Sequence, residues 1–182
     1  MTIIKYFTII TTLLCSISFA CAGWVDKQGN VISDSNHMKS IGDFGTQLVI
    51  TDNEALALKN WNTPSQTVHI PSTNVIERNK IITAFIVFSG CSVDKAGNCD
   101  LKMQFTVYKP NGTIYSKLPI MEIWSGKPVP PGRSLGLSLE YMRVIIEAKD
   151  PLGKYKITAN IIDKISGNNM LLTKYFTAIK GK

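Results

Sequence analysis

The stretch DPLGKYKITANIIDKISGNNMLLTKYFTAIKGK, residues 150–182, decides the fold of this 182-residue chain. It predicts a turn, a strand, a second turn and a closing strand. In the first strand, Tyr155, Ile157 and Ile161 share one face and alternate with polar residues, which is typical of a strand with one face in solvent. Pro-Leu-Gly before this strand and Ser-Gly-Asn-Asn after it are turn sequences, in which Gly153 is free to take a positive φ.

The chain upstream of residue 150 has the same pattern of short strands and turns. KIITAFIVF at residues 80–88 is apolar on both faces, so it predicts a strand that is buried on both sides. Asn111-Gly112 is a strong hairpin signal between two strands. About seven to nine strands at roughly ten-residue spacing predict an antiparallel β-sandwich, and we expect one short helix and an irregular N-terminal arm beside it.

The short helix is predicted after Thr51, because Thr51 and Glu54 form a capping-box pattern and Pro64 ends the helical stretch. We therefore divide the chain into three parts. Residues 1–22 are a signal peptide, residues 23–66 are an N-terminal arm with the helix packed on the sandwich, and residues 67–182 are the β-sandwich domain.

The N-terminus predicts export. Lys5 precedes an apolar run too short to span a bilayer, and Ala20-Cys21-Ala22 fits a small-x-small cleavage site near Ala22. The expected location is periplasmic or secreted. The alternative is a lipoprotein acylated on Cys21, which bulky Phe19 disfavours. No stretch of the mature chain is long and apolar enough to cross a membrane.

Removal of residues 1–22 leaves two cysteines, Cys91 and Cys99. In an oxidising compartment this pair predicts a disulfide across a hairpin or bulged loop. The alternatives are a redox or metal site. A redox pair usually has the spacing Cys-x-x-Cys, and a zinc site needs two further ligands.

The formal charge of +7 is carried by scattered lysines. Lysines spread along the wet faces of strands discourage edge-to-edge pairing, and without a basic cluster the pattern disfavours nucleic-acid binding. An envelope protein or an anionic envelope polymer is the partner that this charge allows. The sequence carries no signal for an oligomeric state.

The proline-rich stretch GKPVPPGR, bordered by Trp124 and Arg133 and containing Lys127, is the candidate binding loop. Trp124, Lys127 and Arg133 are its candidate contact residues. A crossover between the two sheets would have the same sequence character, so that alternative stays open.

Catalytic signals are absent from the sequence. His37 and His69 stand apart without clustered carboxylates, so we expect neither a metal nor a cofactor. No nucleophile elbow, zinc-protease motif or phosphate loop is present, and we expect no enzyme activity. The remaining catalytic alternative is a hydrolase that pairs two of four carboxylates. These are Glu140, Glu147, Asp150 and Asp163.

Two resemblances add to this interpretation. Leu-Gly-Lys-Tyr at residues 152–155 resembles the tyrosine-corner entry of immunoglobulin-like domains, which implies that the phenol of Tyr155 binds upstream backbone. The segments FGTQLVITD (44–52), VFSGCSVDKAGNCD (87–100), YKPNGTIY (108–115) and DPLGKYKITANIID (150–163) resemble a group of uncharacterised secreted bacterial proteins. That resemblance implies compartment and fold, and it implies no catalytic residue.

These observations favour a non-catalytic secreted or periplasmic binding or accessory module of the cell envelope. A structural or assembly subunit that acts by strand pairing is the first alternative. A secreted hydrolase with paired carboxylates is the second.

Overall fold

The computed structural model describes residues 24, 28–63, 68–131 and 134–181. The predicted signal peptide therefore lies outside the described residues. The described part contains one helix, α1 (Glu54–Asn62), and eleven strands. The strands are β1 (Met38–Ile41), β2 (Phe44–Thr51), β3 (Val75–Glu77), β4 (Ile81–Ser89), β5 (Asn98–Tyr108), β6 (Ile114–Lys117), β7 (Met121–Pro128), β8 (Gly136–Leu137), β9 (Met142–Ile145), β10 (Gly153–Asp163) and β11 (Asn169–Ile179).

The strands form two sheets, which confirms the prediction of a β-sandwich. The first sheet has the order β1-β2-β4, and both β8 and β9 pair with the other side of β4. The second has the order β3-β11-β10-β5, and both β6 and β7 pair with β5. All pairs are antiparallel except β3 with β11, which is parallel. The sequence pattern did not predict that parallel pair.

The strand order is immunoglobulin-like. β2, β4 and β9 pair in one sheet as the first, second and fifth strands of such a domain do, and β5, β10 and β11 pair in the other as the third, sixth and seventh do. The remaining short strands extend the two sheets at their edges. The predicted fold class therefore follows from the pairing itself.

The core lies between the sheets and follows the predicted alternation. In β10, Tyr155, Ile157, Ala159 and Ile161 are fully buried, while the residues that alternate with them are half-buried. β4 is buried on both faces after its first residue, as predicted. Its outer face is covered by a second apolar cluster that includes Trp24 and Trp61.

Tyr155 has the geometry that the corner motif implies. Its hydroxyl donates to the carbonyl oxygen of Pro151 at 2.8 Å. Its ring stacks on Phe176 at 5.3 Å between ring centroids and meets the ring of Tyr115 edge-on at 5.9 Å. The buried phenol thus joins the start of β10 to β6 and β11 through packing, and its one polar atom keeps a partner.

The structure differs from the predicted division of the mature chain into an N-terminal arm and a separate sandwich domain. β1 and β2, inside the predicted arm of residues 23–66, are strands of the first sheet, and β2 pairs with β4 along seven residues. The physical reason is that FGTQLVIT is buried along nearly its whole length, so its apolar side chains require a place inside the sandwich. The arm therefore supplies strands to the domain that it was expected to cover.

The disulfide between Cys91 and Cys99 spans Cα atoms 6.0 Å apart. Cys91 follows β4 in the first sheet, and Cys99 lies in β5 of the second sheet. The bond therefore links the two sheets where the chain crosses between them, whereas the sequence predicted a hairpin or bulged loop.

The start of α1 also differs from the prediction. The side chain of Asn53 caps the helix by accepting from the amide of Leu56 at 3.0 Å. Thr51 instead accepts from the amide of Asn53 at 3.0 Å. The carboxylate of Glu54 binds distant residues instead of the helix terminus, as described below.

Candidate functional site

The predicted binding loop, residues 126–133, begins inside β7, which ends at Pro128. Trp124 and Lys127 lie in β7, and Arg133 lies outside the described residues. The indole of Trp124 donates to the carbonyl of Pro128 at 3.0 Å and packs edge-on against Phe88, with ring centroids 5.3 Å apart. The indole N–H and one edge of the Trp124 ring therefore have partners within the protein, whereas the side chain of Lys127 is exposed.

Three of the four carboxylates from which the hydrolase alternative draws its pair have contacts within the fold. Asp150 accepts from the Tyr115 hydroxyl at 2.7 Å and from the Glu147 amide at 2.9 Å. Glu147 forms an ion pair with Lys149 at 2.7 Å. Asp163 accepts from three backbone amides, including that of Ser92 at 3.0 Å.

Asp150 and Asp163 also lie at opposite ends of β10, whereas Glu147 shares a turn with Asp150. Asp150 precedes the strand and Asp163 ends it, and a strand of this length rises about 33 Å. A glycosidase pair is separated by about 5–10 Å. Burial opposes ionisation of Asp150, but the hydrogen bonds from Tyr115 and Glu147 hold the pKa of its carboxyl below the ordinary value. The contacts of Asp150 thus hold the turn that precedes β10.

A second charged cluster surrounds Glu54 at the start of α1. The guanidinium of Arg143 donates to both carboxylate oxygens, with Nε at 2.6 Å from Oε2, and Thr83 and Tyr141 donate at 2.9 Å and 3.1 Å. The hydrogen bonds from Arg143 are the main reason that the pKa of Glu54 is lowered to about 2. This cluster attaches α1 to β4 and β9, and both oxygens of the Glu54 carboxylate already accept hydrogen bonds.

A different environment lies at the other edge of the sandwich, beside β11. The inward-facing residues of β11 are Met170, Leu172, Lys174, Phe176 and Ala178, so Lys174 stands in an otherwise apolar row. A cavity of about 520 Å³ opens at Lys174 and is also lined by Asn36, His37, Ser72, Asn74 and Tyr175.

A second cavity of about 300 Å³ continues from the first. Both are lined by His37, Ser72 and Lys174, so they form one groove, which we call the edge groove. The second cavity is lined by apolar side chains that include Val49, Trp61, Ile70 and Val87, and by polar ones that include Gln47 and His69. The edge groove therefore has a polar end beside β11 and an end beside α1 where apolar and polar side chains meet.

Lys174 is the unusual charge of the edge groove. Its side chain is half-buried, and burial lowers the pKa of its ammonium group. Within the described residues, no carboxylate forms an ion pair with it. His37 lies close enough that burial, and then the charge of Lys174, lower the pKa of its imidazole. Nδ1 of His37 is 3.1 Å from the Ser35 hydroxyl.

Neither Trp124 nor Lys127 lines the edge groove, and Arg133 lies outside the described residues. One sequence signal could have found the edge groove. Lys174 interrupts the apolar parity of β11, and a lysine in an inward-facing row is costly to bury without a partner. The contribution of His37 and Ser72 carries no such signal, because their proximity to Lys174 depends on how the N-terminal hairpin and residues 68–74 fold against β11.

The described residues bring together no three His, Cys, Asp or Glu side chains that could hold a metal ion. No helix in the described part of the chain is long and apolar enough to cross a membrane.

Searches against protein-family models and against curated proteins find no match. Among solved structures, the chain is similar to the CARDB domain of a Pyrococcus furiosus protein, solved in complex with di-metal ions. That comparison has 12% identity, covers 82% of this chain and 100% of that chain, and has a TM-score of 0.39.

Two further solved structures match a part of a longer chain. A family 123 glycoside hydrolase from Clostridium perfringens has 9% identity, covers 75% of this chain and 27% of that chain, and has a TM-score of 0.40. The comparison with a DNA-bound alkylpurine DNA glycosylase from Pseudomonas fluorescens has 13% identity, covers 59% of this chain and 28% of that chain, and has a TM-score of 0.36. With all TM-scores below 0.5, these likenesses carry no argument about this chain, and its fold rests on its own strand order.

Proposed function

We propose that the protein is a non-catalytic binding or accessory module of the cell envelope, and that the edge groove is its binding site. The observation that carries the proposal is Lys174, a half-buried cation with no carboxylate partner among the described residues, in a groove large enough for a ligand. Burying an unpaired charge costs stability, and such costs are typical of binding sites. An anionic group on an envelope protein or polymer would compensate that cost.

The proposed location is periplasmic or secreted. It rests on the signal-peptide pattern of residues 1–22 and on the disulfide between Cys91 and Cys99, which is typical of oxidising compartments.

The two alternatives have less support. Strand exchange requires a detachable terminal strand, but β11 pairs with β10 along ten residues and buries Met170, Leu172 and Phe176 in the core. The hydrolase alternative requires a free carboxylate pair, and Asp150 and Asp163 are hydrogen-bonded at distant ends of β10.

Nuclear magnetic resonance of the isotope-labelled chain from residue 23 tests the proposal. Peptidoglycan fragments, lipopolysaccharide and envelope-protein digests are added in turn. We expect saturable chemical-shift changes at Lys174, Tyr175 and Trp61 with at least one of these, and we expect Lys174→Gln to abolish them. Cleavage of an added polymer, or saturable changes confined to residues 147–151, would contradict the proposal.

A further inference from the structure

The outer edge of β11 has a gap in its backbone pairing. The amide of Thr173 donates to the carbonyl of Asn36 at 2.6 Å, and the amide of Thr177 donates to the carbonyl of Asn74 at 2.7 Å. In a strand, the amides of alternate residues point to the same edge, so Tyr175 between them presents both its N–H and its C=O there. No backbone or side-chain hydrogen bond from the described residues reaches these two groups.

This gap coincides with the polar end of the edge groove, since Asn36, Asn74, Lys174 and Tyr175 all line the same cavity. The edge already accepts two segments of the chain itself, the turn at Asn36 and the residue before β3, Asn74, one on each side of Tyr175. The gap between them is too short for a full added strand, because Tyr175 is the one residue between Thr173 and Thr177 whose N–H and C=O point to this edge. A gap of this size can pair with the last residue of an added peptide strand.

The unpaired groups specify the chemistry of that end. The N–H of Tyr175 and the ammonium of Lys174 require an acceptor, preferably an anion, and the carbonyl of Tyr175 requires a donor at strand spacing. The last residue of a peptide offers both, because its carboxylate accepts and its own N–H donates. A uronate or phosphate group supplies the anion and lacks the amide donor.

The second cavity specifies the side chain of that residue. It continues from Lys174 toward Val49, Trp61 and Val87, and these apolar walls already form part of the cluster that covers β4. An apolar side chain placed there removes its own surface and the exposed parts of Trp61 and Ile70 from water. A charged side chain would lose its hydration without a partner.

We propose that the edge groove binds the C-terminal residue of an extended peptide whose last side chain is apolar. The carboxylate binds the ammonium of Lys174 and the amide of Tyr175, the last amide of the peptide donates to the Tyr175 carbonyl, and the side chain enters the cavity beside Trp61. This inference rests on the proposed function, because it names the ligand class of the same groove.

Fluorescence polarisation with four labelled pentapeptides tests the inference. The parent peptide is Gly-Ser-Gly-Ser-Leu with a free carboxylate. The others carry a C-terminal amide, an N-methylated last leucine, or glycine as the last residue. We expect saturable binding of the parent, and affinity about tenfold or more weaker for each of the other three, since each loses one of the three proposed contacts.

Protein variants assign these losses to residues. Lys174→Gln is expected to bind the carboxylate and amide peptides equally weakly, and Trp61→Ala is expected to lose the preference for leucine over glycine. Lys156→Gln is the matched control. It removes the same charge from the outer face of the neighbouring β10, where the ammonium lies over the ring of Tyr108, and should bind the parent peptide as the unaltered protein does. Thermal unfolding checks that each variant folds.

Equal affinity for the carboxylate, amide and N-methyl peptides would overturn the inference, and so would an equal loss in Lys174→Gln and Lys156→Gln. An oligogalacturonate serves as a second probe. If it binds in a Lys174-dependent manner and the peptides do not, the peptide inference fails and the edge groove keeps its binding role. If no probe or envelope fraction changes the resonances of the groove, the proposed function fails as well.

Discussion

Glu54, at the start of α1, and Lys174, in β11, are charged residues whose surroundings differ. Glu54 accepts hydrogen bonds from Arg143, Thr83 and Tyr141, and its carboxylate is held between a helix and two strands. Lys174 stands in an apolar row with no ion pair from the described residues. Both side chains lose hydration on folding. Of the two, Glu54 alone gains hydrogen bonds and an oppositely charged partner from the protein.

This difference separates a group that maintains the fold from a group that is available to a ligand. A paired, hydrogen-bonded charge adds to stability when its partners are in place, and its removal leaves those partners without an acceptor. A charge without a partner lowers stability until something binds it. The opposite responses of Glu54 and Lys174 to substitution should therefore reveal which of the two roles each residue has.

Substitution of Glu54 should have the largest effect. Glu54→Ala leaves the guanidinium of Arg143 and two hydroxyls without their acceptor, so we expect the free energy of unfolding to fall by about 2–3 kcal/mol. Glu122→Ala is the matched control, because Glu122 pairs with Lys102 at 3.2 Å on the exposed surface. Urea denaturation of both variants measures the difference, and equal losses would contradict the stabilising role of the Glu54 cluster.

Acid should remove the same contribution. The pKa of Glu54 is about 2 in the folded protein and near 4.5 without these contacts. A lowered folded-state pKa gives stability that is complete above pH 5 and is lost as the pH falls from about 4.5 to 2. The stability gap between the unaltered protein and Glu54→Gln should therefore narrow over this range. Denaturation midpoints at pH 7, 4 and 3 check this, and a constant gap would count against it.

Tyr155 is a buried polar residue with a partner, like Glu54, but it is uncharged. Tyr155→Phe keeps the stacking on Phe176 and removes the hydrogen bond to the carbonyl of Pro151. We expect a loss of about 1 kcal/mol. Tyr175→Phe is the control, because that hydroxyl belongs to an exposed side chain. An unchanged denaturation midpoint in Tyr155→Phe would argue against the tyrosine corner as a stabilising contact.

Lys174 should respond in the opposite direction and by the smallest amount. Lys174→Met continues the apolar row of β11 and removes a poorly hydrated charge, so we expect stability to rise by about 0.5–1 kcal/mol. Lys156→Met, on the outer face of β10, should show no comparable gain. Thermal and urea unfolding give the comparison, and a loss of stability in Lys174→Met would mean that the ammonium has a stabilising contact in the free protein.

The elements that the sequence predicted well are those whose signal is local. The alternation of β10, the Asn111-Gly112 turn and the double-sided burial of β4 all depend on neighbouring residues, and the structure has each of them. Gly153 and Gly112 have φ values of +124° and +84°, as such turns require.

The elements that the sequence predicted poorly depend on distant partners. Thr51 and Glu54 fit a capping box, but Glu54 binds Arg143, 89 residues away, because a guanidinium and two hydroxyls outcompete one backbone amide for the carboxylate. Trp124 stood beside prolines and was expected in a binding loop, but its ring fills space against Phe88. Local sequence cannot indicate either partner.

By itself, the sequence determined the class of structure: two layers of alternating strands, a cysteine pair and a tyrosine at the penultimate strand. It did so because the two-residue period of a strand and the φ requirements of turns act within a few residues. The tertiary structure alone decided that β2 lies inside the first sheet, that β3 runs parallel to β11, and that His37, Ser72 and Lys174 meet in one groove. Those arrangements depend on which apolar faces cover one another, and that is decided when the whole chain packs.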